Sequence, residues 1–400
     1  MRVLVVAEFY PRADDPVLGV WAHRQTVAAR DAGAEVQVVV LHRVVPAKAD
    51  VAGGPRRALA SLAAKARQPR GVELDGVPIT YAPFVSPPRG ATYGSWGAWA
   101  APALHRALRR LGPFDLVHAH NAVPPGDAVR RVRPLRALPL VVSVHGGDVY
   151  YTAERTTNVS RTFAAADLVL ANSEGTGRRA KGVGARRVRT VHLGTDVPPE
   201  RDLARAATDR PPTLVTTAHL VARKRHADVL RALARLEDQT VRYEIVGDGP
   251  ERAALERLAA ELGLTGRVTF HGQLAPSDAL ATARRADVLV LPSTDEAFGV
   301  AYVEAMAAGL PAIGLDGEPG PLEIAACGPG LLLAPRDDLD GLAHTIARAL
   351  RDRDRLGRAA RATVLAHFTW ERCGRETVRV YADVLAGARA GAGRTGRPGR

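Results

Sequence analysis

Short apolar runs alternate with longer segments of helical periodicity along most of this 400-residue chain. In the first half, apolar and β-branched runs predict strands at residues 2–7, 35–41, 115–118, 139–144, 168–171 and 188–192. Between the strands, residues 19–32 and 99–111 have apolar positions at helical spacing, and Gly33 directly follows the first of these segments. Alternation at this spacing predicts βαβ units and therefore a parallel sheet.

The second half of the chain repeats the pattern. Its apolar runs predict strands at residues 213–217, 242–246, 268–271, 288–291, 312–315 and 330–333. The polar stretch 198–212, bracketed by prolines, predicts a linker between the halves. We therefore expect one domain at residues 1–197, a second at 211–366, a long helix at 367–386 and a disordered tail at 387–400.

Composition and charge narrow the class of protein. The chain is 46% hydrophobic and 24% charged, which is normal for a globular protein, and its net charge of +13 favours an anionic partner. Cys327 and Cys373 provide neither a disulfide framework nor the spacing of metal ligands. The first strand is too short for a signal peptide, and no run reaches the roughly 18 apolar residues of a membrane span. We expect a cytoplasmic protein, either free or held at the inner face of the plasma membrane.

Two basic segments are compatible with an anionic membrane surface as a partner. Residues 55–67 mix Arg56, Arg57 and Lys65 with apolar positions at helical spacing. That pattern is typical both of a helix lying on anionic lipid and of a solvated surface helix. The arginine cluster at residues 130–136 has few aromatic neighbours, unlike a nucleic-acid groove, so we expect no nucleic acid as a partner.

His145 is the candidate functional residue of the first half. It follows the predicted strand 139–144 and precedes Gly146-Gly147-Asp148. Open parallel sheets place their chemistry at strand ends, and a histidine donates or accepts protons near neutral pH. After the first strand the chain has no G-x-G-x-x-G and offers only Gly19 for close backbone approach to a ligand, which disfavours a hydride-transfer enzyme.

Two carboxylates flank a predicted helix start in the second half. The strand 288–291 leads to Glu296, and the helix predicted at 299–308 carries Glu304. A helix N-terminus attracts phosphate through its unpaired N–H groups. Glu296 beside it could face a sugar, and Glu304, on a helix rising ~1.5 Å per residue, could reach a ribose. This geometry predicts a nucleotide-sugar site.

A basic loop follows the predicted strand 213–217. It contains the cations His219, Arg223, Lys224 and Arg225. Concentrated positive charge at such a loop suits a diphosphate, and the alternative is the solvated start of a helix.

Together these residues resemble the large family of retaining, GT-B-fold glycosyltransferases that use nucleotide sugars, glycosyltransferase family 4, group 1. The resemblance rests most firmly on the family's E-x7-E signature, here Glu296-Ala297-Phe298-Gly299 followed by Glu304-Ala305-Met306-Ala307. It implies an α/β protein of two Rossmann-like domains with a cleft between them. It also implies that the C-terminal helix crosses back to the first domain.

The resemblance implies roles for individual residues. His145, Glu296 and Lys224 would be the catalytic group, with Glu296 on the donor sugar and Lys224 on the diphosphate. Glu304 would contact the ribose, and the remaining donor-binding residues would be Gly19, His219, Arg223, His271, Gly272, Phe298, Gly299 and Val300. The family has an arginine where this chain has His219, so either Arg223 or Arg225 substitutes or the diphosphate is held less strongly.

The implied activity is that of a hexosyltransferase-type enzyme that needs neither metal nor cofactor. It would move a sugar, with retention, from a UDP- or GDP-sugar to a lipid-linked or polysaccharide acceptor in cell-envelope or exopolysaccharide synthesis. One alternative is another GT-B enzyme, either a phosphorylase or a nucleotide-sugar epimerase. A second alternative is a basic protein that binds nucleic acid or an anionic surface, which steeply salt-dependent DNA binding would support.

Overall fold

A computed structural model describes residues 1–46, 48–199 and 210–395 of the chain. The chain divides into unit 1, made of Met1–Leu193 and Trp370–Arg400, and unit 2, made of Gly194–Thr369. The first division thus falls a few residues before the expected boundary at 197. Most of the predicted linker, residues 200–209, lies outside the described residues.

In its described residues, unit 1 contains an eight-stranded sheet with the order β3-β4-β2-β1-β5-β6-β7-β8. The strand β3 pairs antiparallel with β4, and the other neighbours pair in parallel. The strands are β1 (Arg2–Ala7), β2 (Glu35–Arg43), β3 (Gly71–Leu74), β4 (Val77–Phe84), β5 (Leu116–His120), β6 (Leu140–Val144), β7 (Leu168–Ala171) and β8 (Val188–Thr190). The helices are α1 (Val20–Asp31), α2 (Lys48–Ala52), α3 (Pro55–Ala66), α4 (Arg89–Thr92), α5 (Trp96–Leu108), α6 (Asp127–Arg131), α7 (Asn158–Ala165), α8 (Glu174–Gly182) and the last helix of the chain, Trp370–Thr395.

Helices cover both faces of this sheet, so its central strands β1, β5 and β6 are buried almost throughout. Every side chain from Val3 to Ala7 is fully buried. The final helix returns to unit 1 and packs against α1. A Cβ atom at Gly374 would lie 2.1 Å from the Ala28 carbonyl oxygen, so glycine permits this close approach. The expected return of the C-terminal helix to the first domain is confirmed.

Unit 2 has, over its described residues, a six-stranded parallel sheet with the order β11-β10-β9-β12-β13-β14. The strands are β9 (Thr213–Thr217), β10 (Arg242–Val246), β11 (Val268–Gly272), β12 (Val288–Val290), β13 (Ala312–Leu315) and β14 (Leu331–Ala334). The helices are α9 (His226–Arg235), α10 (Arg252–Glu261), α11 (Pro276–Arg285), α12 (Val300–Ala307), α13 (Pro319–Cys327), α14 (Leu339–Arg351) and α15 (Arg353–His367), and the chain then enters α16 (Trp370–Thr395) of unit 1.

Two features differ from the sequence-based expectation. The hairpin of β3 and β4 was not predicted, because β3 has only four residues and lies beside a region without clear periodicity. The helix α16 continues to Thr395, beyond the expected end at 386. Residues 387–395 are therefore helical rather than disordered, since alanine and arginine are good helix formers, and the rest of the expected tail, 396–400, lies outside the described residues.

Candidate active site

The loop between β12 and α12 carries Glu296. Its Oε2 atom accepts hydrogen bonds from Lys224 Nζ at 2.7 Å and from Ser293 Oγ at 2.8 Å. Lys224 lies in a short 3-10 turn after β9, and β9 is the neighbour of β12 in the parallel sheet. The loops at the carboxyl ends of these two strands therefore meet, and the side chains of Lys224 and Glu296 are each only 12% exposed. Two of the three predicted catalytic residues are in direct contact.

Backbone hydrogen bonds hold this loop in place. The Thr294 N–H donates to the Arg223 carbonyl oxygen at 2.8 Å, which joins the two loops a second time. The Glu296 N–H donates to Glu318 Oε2 at 3.1 Å, and the other Glu318 oxygen accepts from Arg336 at 2.5 Å. Glu318 is buried and was not identified from the sequence as a site residue. It supports the position of Glu296 from the loop after β13.

The N-terminus of α12 is open for an anion. Its N-cap residue is Gly299, at φ 94° and ψ 64°, and no side chain caps the helix and no acidic residue lies in its first turn. A Cβ atom at Gly299 would lie 2.2 Å from the Tyr302 ring, so the turn requires glycine. The first N–H groups of α12, beginning at Val300, thus donate no hydrogen bond to a capping side chain.

Phe298 and Glu304 face different surroundings. The Phe298 side chain is 1% exposed and its ring lies 5.7 Å from that of Phe368, so this side chain is not accessible to a ligand. Glu304 lies on α12 with an exposed side chain. The protein packed around its carboxyl group desolvates the charge and raises the pKa of Glu304 from 4.5 to about 7.

The cations of the basic loop differ in whether they already have partners. The Arg225 guanidinium donates to Asp228 at 2.6 Å and to Asp337 at 2.7 Å, so its charge is neutralised locally. The Arg223 side chain has no hydrogen-bond or ion-pair partner among the residues that the structure describes. His219 is exposed. Of the two arginines that could replace the family arginine, Arg223 is the one left available.

His271 and Gly272 have partners away from the Lys224–Glu296 pair. His271 Nε2 lies 2.5 Å from Glu244 Oε2, and the Gly272 carbonyl oxygen accepts from the Gly247 N–H at 2.9 Å. Both residues end β11, which is separated from β9 by β10. The predicted contact of His271 and Gly272 with a donor stays a prediction.

In unit 1, the half-buried His145 lies in a row with the buried histidines His120 and His118. Its ring is stacked on that of His120 with centroids 5.3 Å apart, and the Nε2 and Nδ1 atoms of the pair lie 3.1 Å apart. The His118 ring follows at 4.4 Å from His120. Burial lowers the pKa of His145 to about 4. His145 is therefore neutral at pH 7 and acts as a hydrogen-bonding group rather than as a cation.

Gly19 forms the turn before α1. It adopts φ 66° at the N-cap, and a Cβ atom there would lie 2.2 Å from the backbone of Phe9. The close approach that requires glycine is therefore met within unit 1, and the role of Gly19 in donor binding stays a prediction.

A cavity of about 450 Å³ lies in unit 1 where β1, β5 and β6 end. Asp148 is buried in its wall and accepts hydrogen bonds from the N–H groups of Ala122 at 2.8 Å and Val123 at 3.4 Å. Burial outweighs these bonds and raises the pKa of Asp148 to about 7. Its rim carries Arg89 and Arg155.

A second buried carboxyl group lies behind this cavity. Glu8 Oε2 accepts from the hydroxyl of Tyr93, a lining residue, at 2.7 Å. Burial raises the pKa of Glu8, and the nearby charge of Arg89 opposes that rise. We call the space lined by Asp148, Tyr93, Arg89 and Arg155 the unit 1 cavity. Sequence reasoning did not find it, although a carboxylate directly after the apolar strand β1 is a signal that was present.

The described residues contain neither a metal-binding cluster nor a membrane-spanning helix. No group of three or more His, Cys, Asp or Glu side chains within that part of the chain is placed to hold a metal ion. In the same residues, no helix combines the length and the apolar character needed to cross a bilayer.

Two family models together cover most of the chain. One, for Glycosyltransferase Family 4, matches residues 18–198, and the other, for Glycosyl transferases group 1, matches residues 200–363. D-inositol 3-phosphate glycosyltransferase of Nocardia farcinica is 30% identical over 332 residues, which cover 74% of this chain and 73% of that protein. The enzyme of the same name from Mycobacterium bovis is 29% identical over 316 residues, 68% of this chain and 63% of its own length.

Solved structures show the same fold. Sucrose-phosphate synthase of Thermosynechococcus elongatus superposes with a TM-score of 0.77 at 21% identity, over 97% of this chain and 100% of that one. The Anabaena protein HepE in complex with UDP and glucose gives a TM-score of 0.67 at 18% identity, over 96% and 100% of the two chains. The two α/β units, the returning helix and these matches lead to one conclusion: the chain is a GT-B-fold glycosyltransferase that belongs to glycosyltransferase family 4, group 1.

Proposed function

We propose that this glycosyltransferase moves a sugar, with retention of anomeric configuration, from a UDP- or GDP-sugar to a phosphate-bearing or glycan acceptor. The observation that carries the proposal is the contact of Lys224 with Glu296 beside the uncapped N-terminus of α12. Anion-binding and hydroxyl-binding groups lie next to each other there, as a nucleotide sugar requires. HepE, which has the same fold, was solved in complexes with UDP and with UDP-glucose.

The proposed donor site stabilises charge that develops on the leaving diphosphate. Lys224, Arg223 and the N–H groups at the start of α12 supply positive charge and donors, which lower the barrier without a metal or a cofactor. Glu296 accepts hydrogen bonds from the hydroxyl groups of the transferred sugar, and Glu304 from the ribose. The ion pair holds Lys224 and Glu296 at positions from which both can contact the donor.

The proposed reaction retains configuration by attack on the same face as the leaving group. The acceptor hydroxyl forms the new bond to the anomeric carbon while the bond to the diphosphate breaks, and the leaving phosphate oxygen takes the proton. His145, which is neutral at pH 7, hydrogen-bonds to the transferred sugar and carries no charge of its own in this scheme.

For the acceptor we propose the unit 1 cavity. Its arginines Arg89 and Arg155 suit a phosphate group, and Asp148 with Tyr93 suits hydroxyl groups. A lipid-linked acceptor in cell-envelope or exopolysaccharide synthesis has both features. The relatives named for D-inositol 3-phosphate make a phosphorylated polyol the second acceptor to test.

We also propose peripheral association with an anionic membrane, and the burial and pairing of two basic segments support one of them over the other as the contact. Arg130 and Arg131 pair with the fully buried Asp127 at 2.5 and 2.8 Å, so that cluster is neutralised in part. The helix α3 has no buried residue, and Leu59 on it is 65% exposed. Exposed apolar and basic residues on one helix favour α3 over the 130–136 cluster.

A thermal-shift screen of nucleoside diphosphates and nucleotide sugars, followed by a transfer assay, tests this function. A ligand at about 100 times its dissociation constant stabilises the fold by roughly 2.7 kcal/mol. We expect a shift with UDP- or GDP-sugars that Glu296→Gln and Lys224→Ala reduce. Arg225→Ala, which removes a cation of the same loop with local partners, is the matched control. Absence of any shift or transfer, combined with tight salt-sensitive DNA binding, would favour the nucleic-acid alternative.

A further inference from the structure

A second cavity of unit 1, with a volume of about 710 Å³, lies beside the outer edge of the sheet between β4 and α5. The edge strand β3 pairs with β4 only as far as Thr80, so the end of β4 extends past it. None of the residues that line this space lines the unit 1 cavity described above. We call it the arginine cavity, after the residues Arg70, Arg106, Arg109 and Arg110 that line it.

The charge of the arginine cavity is of one sign. None of its described lining residues is acidic. Apart from an Arg106 bond of 3.4 Å to the Pro102 carbonyl oxygen, the four guanidinium groups have no hydrogen-bond or ion-pair partner among the described residues. The negative end of the α5 dipole accounts for Arg109 and Arg110. It does not account for Arg70, whose carbonyl accepts from the Tyr81 N–H at 2.8 Å and so fixes the backbone of that residue against β4.

The lining also contains the apolar residues Ala82, Pro83, Ala103, Ala107 and Leu111, some of them between the arginines on the same face of α5. The cavity therefore offers an anionic ligand apolar contacts beside its guanidinium groups. Trp99, which is 51% exposed, lies on the outward stripe of α5 that continues through Pro102 to Arg106. Tryptophan beside arginine is typical of surfaces at the boundary of a bilayer.

The arginine cavity also adjoins α3 along the chain. Arg70 follows Arg67, the C-cap of α3, by three positions, which limits their separation to roughly 10 Å.

We propose that the arginine cavity binds the phosphate headgroup of an anionic phospholipid and docks unit 1 on a bilayer surface through the outward stripe of α5. The guanidinium groups bind the phosphate, and the apolar lining residues contact the glycerol and upper acyl region of the lipid. Trp99 inserts between the headgroups and the acyl chains. This site gives the membrane association proposed above a specific contact, and it is independent of the transfer chemistry.

Vesicle co-sedimentation of the full chain tests the site, with phosphatidylcholine vesicles that contain or lack phosphatidylglycerol. The test variant is Arg106→Gln/Arg110→Gln. The matched control is Arg178→Gln/Arg186→Gln, which removes two exposed arginines near β8, at the opposite edge of the same sheet. We expect wild type and control to bind phosphatidylglycerol vesicles alike, and the test variant to bind roughly fivefold more weakly per arginine, about 25-fold for the pair.

Two further measurements separate the possible outcomes. We expect vesicle binding to shift the tryptophan fluorescence of the wild-type protein, and we expect Trp99→Phe to remove most of that shift. Transfer to a water-soluble acceptor stays unchanged in the test variant, which also shows that the variant is folded. Equal weakening of test and control variants would show that only net charge matters and would overturn the site. If the wild-type protein does not bind the vesicles, membrane association is refuted as well. Loss of inorganic phosphate binding in the test variant, with vesicle binding intact, would assign the cavity to a free anion instead.

Discussion

The ion pair of Lys224 and Glu296 contributes to the stability of the proposed donor site. Its contribution to the free energy of unfolding can be measured with Lys224→Met, Glu296→Gln and the double variant. The two side chains are 2.7 Å apart and each is 12% exposed. Removing one partner leaves the other charge nearly buried, although Glu296 keeps its bond from Ser293. Losses for buried pairs are several kcal/mol, and partial solvent access reduces the expected cost to about 1–3 kcal/mol for each single variant.

The double variant has no unpaired charge left, so we expect it to lose less stability than the sum of the singles. Interaction energies between residues in contact are about 0.5–3 kcal/mol. For a unit of this size, 1 kcal/mol corresponds to roughly 2–4 °C in the melting temperature. The assay is thermal and urea unfolding without ligand, together with kcat/KM for sugar transfer.

Activity separates the structural role of the pair from its role toward the donor. We expect each single variant and the double variant to lose transfer, about 10²-fold or more for Lys224→Met, because a donor to the leaving group is absent. Lys65→Met removes a lysine that is 20% exposed from an ion pair of unit 1 and leaves transfer unchanged. Stability losses that simply add in the double variant would refute the reasoning, since they would mean that Lys224 and Glu296 do not interact.

Other changes give further tests. With a pKa of about 7, Glu304 is mostly ionised only above that pH, so the donor KM should rise roughly tenfold from about pH 8 to about pH 6, and Glu304→Gln should remove this dependence. Arg223→Ala should raise the donor KM about tenfold or more, whereas Arg225→Ala should mainly lower the melting temperature, because Arg225 is paired within the protein. Asp148 binds its proton more tightly folded than unfolded, so the unfolding free energy should fall as pH rises from about 4 to about 7; a similar fall in Asp148→Asn would contradict this.

The donor loop could be predicted from the sequence because its signals are local. A strand, a polar loop, a left-handed glycine and a helix follow one another within a short stretch, and Glu296 and Glu304 keep their places relative to that helix. The charge of the basic loop placed Lys224 among the candidate diphosphate ligands, and the family resemblance then singled it out within that loop. Its contact depends on β9 lying beside β12, which no local spacing encodes.

The residues that were missed are those whose role depends on burial. Glu318 contacts Glu296 from the loop after β13, which only the folded chain shows. Asp148 was visible in the motif after His145, but its burial and its bonds from the N–H groups of Ala122 and Val123 were not. The arginine cluster at 130–136 carries less unpaired positive charge in the structure than its sequence suggests. Its charge is reduced by Asp127, a residue of the same short helix whose complete burial cannot be read from the sequence.

His219 stands where the family resemblance implies a diphosphate-binding arginine, and the hydrogen bonds of the surrounding loop show which of its other cations are already paired. Arg225 is committed to Asp228 and Asp337, and this pairing orients the start of α9. Arg223 remains without such a partner among the described residues, and its carbonyl oxygen is bonded to the loop that carries Glu296. If one arginine of the loop stabilises the fold while its neighbour binds the donor, the absence of an arginine at 219 costs little donor affinity. We then expect diphosphate binding to depend on Arg223, and His219→Arg should make Arg223 dispensable for donor binding.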